Sequence, residues 1–221
     1  MSRPALVAVA HGSSHPCASA TVVSLARHVT RLAPVIDIRV AFVQHAQPTL
    51  PEALAGAGSD AIIVPLLLST GYHLTTDIAA AASPPQRVAG PLGPDQLLVT
   101  ALLSRLAEAG VPGGTPVVLA AAGSTDPEAA TQVSAQAELL ATALNVPVKV
   151  AFAAAGQPTV PVAVADLRAS TGAPVAVASY LLTQGHFHDQ LARAGADWVT
   201  APLGDHPAVA ALVIDRYRRA A

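Results

Sequence analysis

Residues 39–54 read RVAFVQHAQPTLPEAL, and residues 149–164 read KVAFAAAGQPTVPVAV. Eight of the sixteen aligned positions are identical, far more than two unrelated segments share. Working outward, AHGSSHP at residues 10–16 recurs as AAGSTDP at 121–127, and VAGPLGPD at 88–95 recurs as VTAPLGDH at 199–206. The register stays near 110 residues throughout, so one domain is written twice. The copies differ where ligand-type residues stand. His11 becomes Ala122, and the neighbourhood of His73 is rewritten around His186 and His188. That asymmetry suggests one working site, in a half spanning residues 1–111, and a supporting half spanning 112–221, joined at AGVPGGTP (residues 109–116).

The 221 residues are 52% apolar and only 12% charged, ample for a buried core in each half. The longest apolar runs, such as residues 61–68, fall well short of the roughly 20 residues that span a bilayer. The opening MSRPALVAVAHGSS has too short an apolar run for a secretory signal. A single cysteine, Cys17, excludes an internal disulfide. A net charge of −2 without a Lys/Arg cluster argues against nucleic acid as a partner. The expectation is a cytoplasmic protein with no membrane partner, monomeric because the duplication supplies both halves.

Each half alternates β-branched runs with Ala/Leu-rich segments. Residues 5–10, 36–43, 61–68 and 87–90 read as strands without polar alternation, hence buried on both faces as in a parallel sheet. Residues 18–32 place Val22, Leu25, Ala26 and Val29 on one face and Arg27, His28 and Arg31 largely opposite, the pattern of a covering helix. Pro48 is expected to open a second helix, and residues 95–110 form a third. The second half repeats the order, with strands at 117–121, 148–153, 175–182 and 198–201. Its helices follow Pro127, Pro158, His188 and Pro207. The fold class is therefore α/β, two flavodoxin-like halves, each a parallel sheet flanked by helices, with a cleft between them.

Ligands of open parallel sheets bind beyond the carboxyl ends of the strands, where strand order reverses. His11 directly follows the first strand, and His73 follows the third by a short loop. In a flavodoxin-like order those strands are neighbours, about 4.8 Å apart. Two imidazoles there suit a late first-row metal ion, and either can act as a base near neutral pH. A lone strand-end histidine more often packs a loop; two on adjacent strands weaken that reading. Gly12 permits a sharp turn, and Ser13 and Ser14 can cap the following helix. Neither a Walker pattern nor G-x-G-x-x-G is present, G-x-S-x-G is absent, and Ala10 stands where a histidine phosphatase needs arginine. Cys17 reads as an inert buried thiol within a helix.

The strand ending in AHGS, then VAFVQHAQPTL, then VPLLLSTGYHLTTDI, resembles the class II tetrapyrrole chelatases, and within them the long-form sirohydrochlorin chelatases of the CbiX/SirB type. The resemblance covers essentially the whole chain, duplication included. It implies a cleft holding the macrocycle, and a first half in which His11 and His73 receive the metal and help remove pyrrole protons. The family's acidic residue two positions after the second-strand phenylalanine is replaced here by Gln44, followed by His45. Glutamine neither attracts a cation nor accepts a proton as glutamate does. Either His45 offsets the loss, in an all-nitrogen site with His11 and His73, or the site is retuned.

In the second half, His186 and His188 would share one face if their segment were extended. Packing or contact with substrate carboxylates is the favoured role there, over a second metal site. Ser13, Ser14, Ser124 and Thr125 are candidates for holding carboxylate side arms at helix N-termini. The implied activity is insertion of Fe2+ or Co2+, with Ni2+ a further candidate, into sirohydrochlorin toward siroheme or a cobalamin precursor. The metal is substrate, and no permanent cofactor is expected. The alternative is a non-catalytic tetrapyrrole or metal carrier on the same fold.

Overall fold

The computed structural model describes residues 3–71 and 73–221, the side chains of residues 73–75 excepted. The chain divides into two compact units, Met1–Leu92 with Asp205–Ala221, and Gly93–Gly204. In the first, β1 (Leu6–Ala10), β2 (Ile38–Phe42), β3 (Ile62–Pro65) and β4 (Arg87–Val88) form a parallel sheet in the order β2-β1-β3-β4. In the second, β5 (Val117–Gly123), β6 (Val148–Ala155), β7 (Ala176–Tyr180) and β8 (Trp198–Val199) repeat it as β6-β5-β7-β8. The expected duplicated parallel α/β architecture is present. Every residue of β1 and of β7 is buried, which is why neither strand shows polar alternation in sequence.

In the first unit α1 (Pro16–Leu32) buries Ala18, Val22, Leu25 and Val29, a stripe that recurs every three to four residues. α2 (Leu50–Ala55) begins two residues later than Pro48 suggests. Thr49 is its cap, in a reciprocal capping box with Glu52, and Pro51 takes the first-turn position. α3 is a π-helical stretch His73–Ile78 running into Ala79–Ala81. The remaining helices are α4 (Gln96–Glu108), α5 (Pro127–Leu144), α6 (Val160–Thr171), α7 (His186–Leu191) and α8 (Pro207–Ala220). On one face of the first sheet Val7, Val9, Ala41 and Ile63 pack with Leu50, Ala53, Leu54 and Ile78. Val118, Ala120, Ala151 and Val177 do the same with Val160, Ala163, Val164 and Leu167 in the second.

The compact units do not coincide with the halves 1–111 and 112–221. α4, read from sequence as the last helix of the first half, packs on α5 and β7 of the second unit. α8, last in the second half, packs on α1 and β3 of the first. Polar anchors accompany each transfer. Arg216 donates to the carbonyls of Pro91 (2.9 Å) and Leu92 (2.8 Å), and the Tyr217 hydroxyl to that of Pro4 (2.7 Å). In the second unit the buried Gln136 side chain accepts from the Asp95 N–H at 2.8 Å, one residue before α4. Nothing in hydrophobic periodicity says which sheet a helix covers, so this exchange is invisible in the sequence.

Two local expectations fail for chemical reasons. His186 and His188 lie in α7, where positions two apart are rotated by roughly 200°, so they do not share a face. Cys17 is indeed helical, but it sits exposed in the first turn of α1 and is not a buried thiol.

Candidate functional site

His11 is the first residue beyond β1, the strand flanked by β2 and β3, where a doubly wound sheet offers its ligand crevice. The turn that follows is sterically dictated. Gly12 has φ +91, and a Cβ built on it would lie 1.7 Å from the Gln44 carbonyl oxygen. Only glycine fits this close approach. The Gln44 N–H donates to the His11 carbonyl at 3.0 Å, so the backbones of residues 11–12 and 44 are clamped together.

Side chains continue the contact. His11 Nδ1 lies 2.9 Å from the Gly12 carbonyl oxygen, which can only accept, so Nδ1 carries the proton. Nε2 is then an acceptor, and the Gln44 Nε2 found 2.9 Å away donates to it. The contacts of the half-buried imidazole thus match the Nδ1–H tautomer, with the Nε2 lone pair directed at an exposed amide.

His45 follows with φ 62, in the left-handed region, exposed. β2 has already ended at Phe42, so strand alternation does not dictate where this residue points. Glu52, the nearest carboxylate in sequence, is committed to Thr49: the backbone N–H and the hydroxyl of Thr49 hold it below the usual carboxylate range. Among the described residues no three His, Cys, Asp or Glu side chains converge as a metal would require. His73 opens the π-helical stretch after β3, but its side chain lies outside the described residues. The structure thus brings Gln44 to His11, while the expected His11–His73 and His45 contacts are not among what it describes.

The serine loop works differently from expectation. Ser13 Oγ accepts from the His15 N–H at 3.0 Å, and His15 Nδ1 accepts from the Cys17 N–H at 3.3 Å, so His15 caps α1. Ser14 is exposed. In the second unit Ser124 Oγ accepts from the Asp126 N–H at 3.1 Å, and Asp126 caps α5 through the Glu128 N–H at 3.0 Å. Thr125 is exposed. Ser13 and Ser124 therefore shape equivalent turns ahead of equivalent helices.

The second unit keeps the backbone clamp without the chemistry. Gly123 has φ +94, and its Cβ would meet the Ala155 carbonyl oxygen at 1.8 Å. Ala122 stands where His11 stands, and Ala155, one residue beyond the sequence counterpart of Gln44 because the β5–β6 register shifts here, takes the place of Gln44 against the glycine. His188 Nε2 lies 3.1 Å from the Thr200 carbonyl oxygen, to which it donates. His186 Nε2 pairs with Gln190 Nε2 at 2.8 Å. The Gln190 partnership was missed in sequence; its signal, an i,i+4 pair, exists only once the segment is read as helix. A recess of about 100 Å³ lined by Phe152, Thr159, Val160, Gln190 and Leu191 lies at this strand end, below the several hundred Å³ usual for a ligand pocket.

The family model for CbiX matches residues 5–109 and again residues 116–220. The chain belongs to the CbiX family. Among curated relatives, the sirohydrochlorin cobaltochelatase of Methanosarcina acetivorans is 28% identical over 123 residues, covering 47% of this chain and 95% of the relative. That of Methanococcoides burtonii is 36% identical over 77 residues, covering 33% and 59%. Less than half of this chain thus aligns with nearly the whole Methanosarcina relative, as a doubled CbiX chain should. The structure of SirB from Bacillus subtilis with Fe3+ superimposes with a TM-score of 0.84 at 26% identity, covering 98% of this chain and 95% of that one. CbiX, described as the terminal enzyme for biosynthesis of siroheme in denitrifying bacteria, gives 0.77 at 26%, covering 98% and 99%.

Proposed function

We propose that this CbiX-family protein is a metal chelatase that inserts a divalent cation, Fe2+ or Co2+, into sirohydrochlorin. The observation that carries the activity is the doubled family match together with whole-chain likeness to SirB and CbiX. The reaction is sirohydrochlorin plus M2+ giving the metallated ring and two protons. Two N–H bonds break, and metal–nitrogen bonds form as the cation sheds its water.

His11 is suited to both parts of that exchange. In the Nδ1–H tautomer that its contacts match, its Nε2 offers a lone pair that can hold a late first-row cation or accept a pyrrole proton. We assign His73 as its partner from the neighbouring strand end, with His45 as a further metal contact and Gln44 beside His11 at the same site. Ser13 and Ser14 ahead of α1, and Ser124 and Thr125 ahead of α5, are proposed to hold the substrate's carboxylate arms near the positive helix ends. The metal is consumed as substrate, and no resident cofactor is invoked. We further propose a cytoplasmic monomer; no helix among the described residues is long and apolar enough to cross a membrane.

A carrier reading has one observation in its favour. The side chain that meets His11 is an amide that donates a proton, rather than a carboxylate that could take one. Anaerobic incubation of catalytic amounts of the protein with sirohydrochlorin and Fe2+ or Co2+, followed by absorbance, separates the two. Many equivalents of metallated product per chain are expected. One equivalent bound and no turnover would make the protein a carrier.

A further inference from the structure

We propose that Gln44 is a displaceable cap on His11 Nε2, a positioning residue whose amide holds the metal-receiving nitrogen ready and must swing aside for the cation to bind. The proposal rests on reading His11 as the nitrogen that receives the metal. Because Gly12 O accepts from Nδ1–H, the Gln44 amide is oriented as a donor into the Nε2 lone pair. An N–H and a cation cannot share that lone pair.

What can move is limited by the clamp. The Gln44 backbone is tied to His11 by its own N–H, and the Gly12 turn leaves no room for the main chain to shift. The amide hangs on an exposed side chain with three rotatable torsions, so it can turn outward alone. When it leaves, the imidazole stays in place, because the Nδ1–H bond to the Gly12 carbonyl is independent of it.

In the second unit the same backbone approach occurs without this contact. There the same close approach of Gly123 to Ala155 stands with Ala122 and Ala155 as the two side chains. The amide–imidazole bond is thus an addition to a backbone motif that forms without it. Its effect on the cation is opposite to that of a carboxylate. It carries no charge to attract M2+, and it must be exchanged before coordination begins. A loosely held cation is what a site that must surrender its metal to ring nitrogens requires.

The test is Co2+ titration of the full chain without tetrapyrrole, followed through the visible bands of cobalt bound to imidazole. Gln44→Ala should bind Co2+ about two- to ten-fold more tightly than the parent, the value of one exchanged neutral hydrogen bond. Gln44→Glu, which replaces the donor by an anionic acceptor, should bind more tightly still. Thermal unfolding of both should match the parent, since the side chain is exposed. Weaker binding by Gln44→Ala would mean that Gln44 is itself a ligand, and unchanged binding that the contact has no weight; either overturns the cap. Should His11→Ala keep the parent's cobalt bands, the reading of His11 as the metal's receiver fails, separately from the cap.

Discussion

Gln44 meets His11 twice, through a backbone N–H donated to the His11 carbonyl at 3.0 Å and through an amide 2.9 Å from His11 Nε2. Gly12 makes this possible, since any side chain there would collide with the Gln44 carbonyl. One glycine therefore sets the position of both residues at the end of β1. The equivalent glycine in the second unit, Gly123, sets the positions of two alanines.

Substituting these glycines should separate stability from metal binding. Gly12→Ala and Gly123→Ala each force a side chain into the left-handed region and against a carbonyl, at a cost of roughly 2–4 kcal/mol. Both should lower the thermal midpoint. Only Gly12→Ala should also abolish Co2+ binding, because only it displaces His11. Loss of cobalt binding in Gly123→Ala would contradict the division of labour between the units.

The helix exchange predicts interdependent halves. α8 buries Val209, Leu212, Val213, Ile214 and Tyr217. At about 1.5–3 kcal/mol for each large apolar side chain, that is on the order of 10 kcal/mol as an upper estimate, comparable to the whole stability of a domain. Residues 1–111 and 112–221, made as separate pieces, should each lack cooperative unfolding by circular dichroism and regain it when mixed. Cooperative unfolding of either piece alone would show that its missing helix is dispensable.

Much of this architecture is legible in the chain. The repeat and the unbroken apolar runs predict two parallel sheets, and strand ends place His11 at the switch point. What is not legible depends on long-range choice. α4 and α8 look alike to periodicity whichever sheet they cover, and the Pro48 turn yields to a Thr49–Glu52 capping box that fixes the helix start two residues later, at Leu50. Within the site, the sequence marks Gln44 as a departure from its family. It cannot show that the amide donates to His11, since that follows from the Gly12 carbonyl and its effect on the tautomer.

Acid should erase one structural link in the second unit. The Asp197 carboxylate accepts from the Val175 N–H at 2.8 Å and from Arg168 at 2.6 Å. First the backbone bond and then the arginine hold it below the usual aspartate range. Its folded value is thus lower than its unfolded one, near 3.9. The stability it contributes is present in full above the unfolded value and is lost as pH falls through the folded one. Asp197→Asn should lower the thermal midpoint at neutral pH, and the gap from the parent should close at strongly acid pH. A gap independent of pH would mean that the charge is irrelevant.

The most direct measurement compares initial rates of Co2+ or Fe2+ insertion into sirohydrochlorin for His11→Ala, His73→Ala, His186→Ala and His188→Ala. The first two remove proposed metal-receiving and proton-accepting groups, and each should lose about 100-fold or more. His186 pairs with Gln190 and His188 with the Thr200 carbonyl, so the last two should stay within a few-fold of the parent once fully folded. Equal losses from the two pairs would place the chemistry in both units and contradict a single working site at the end of β1.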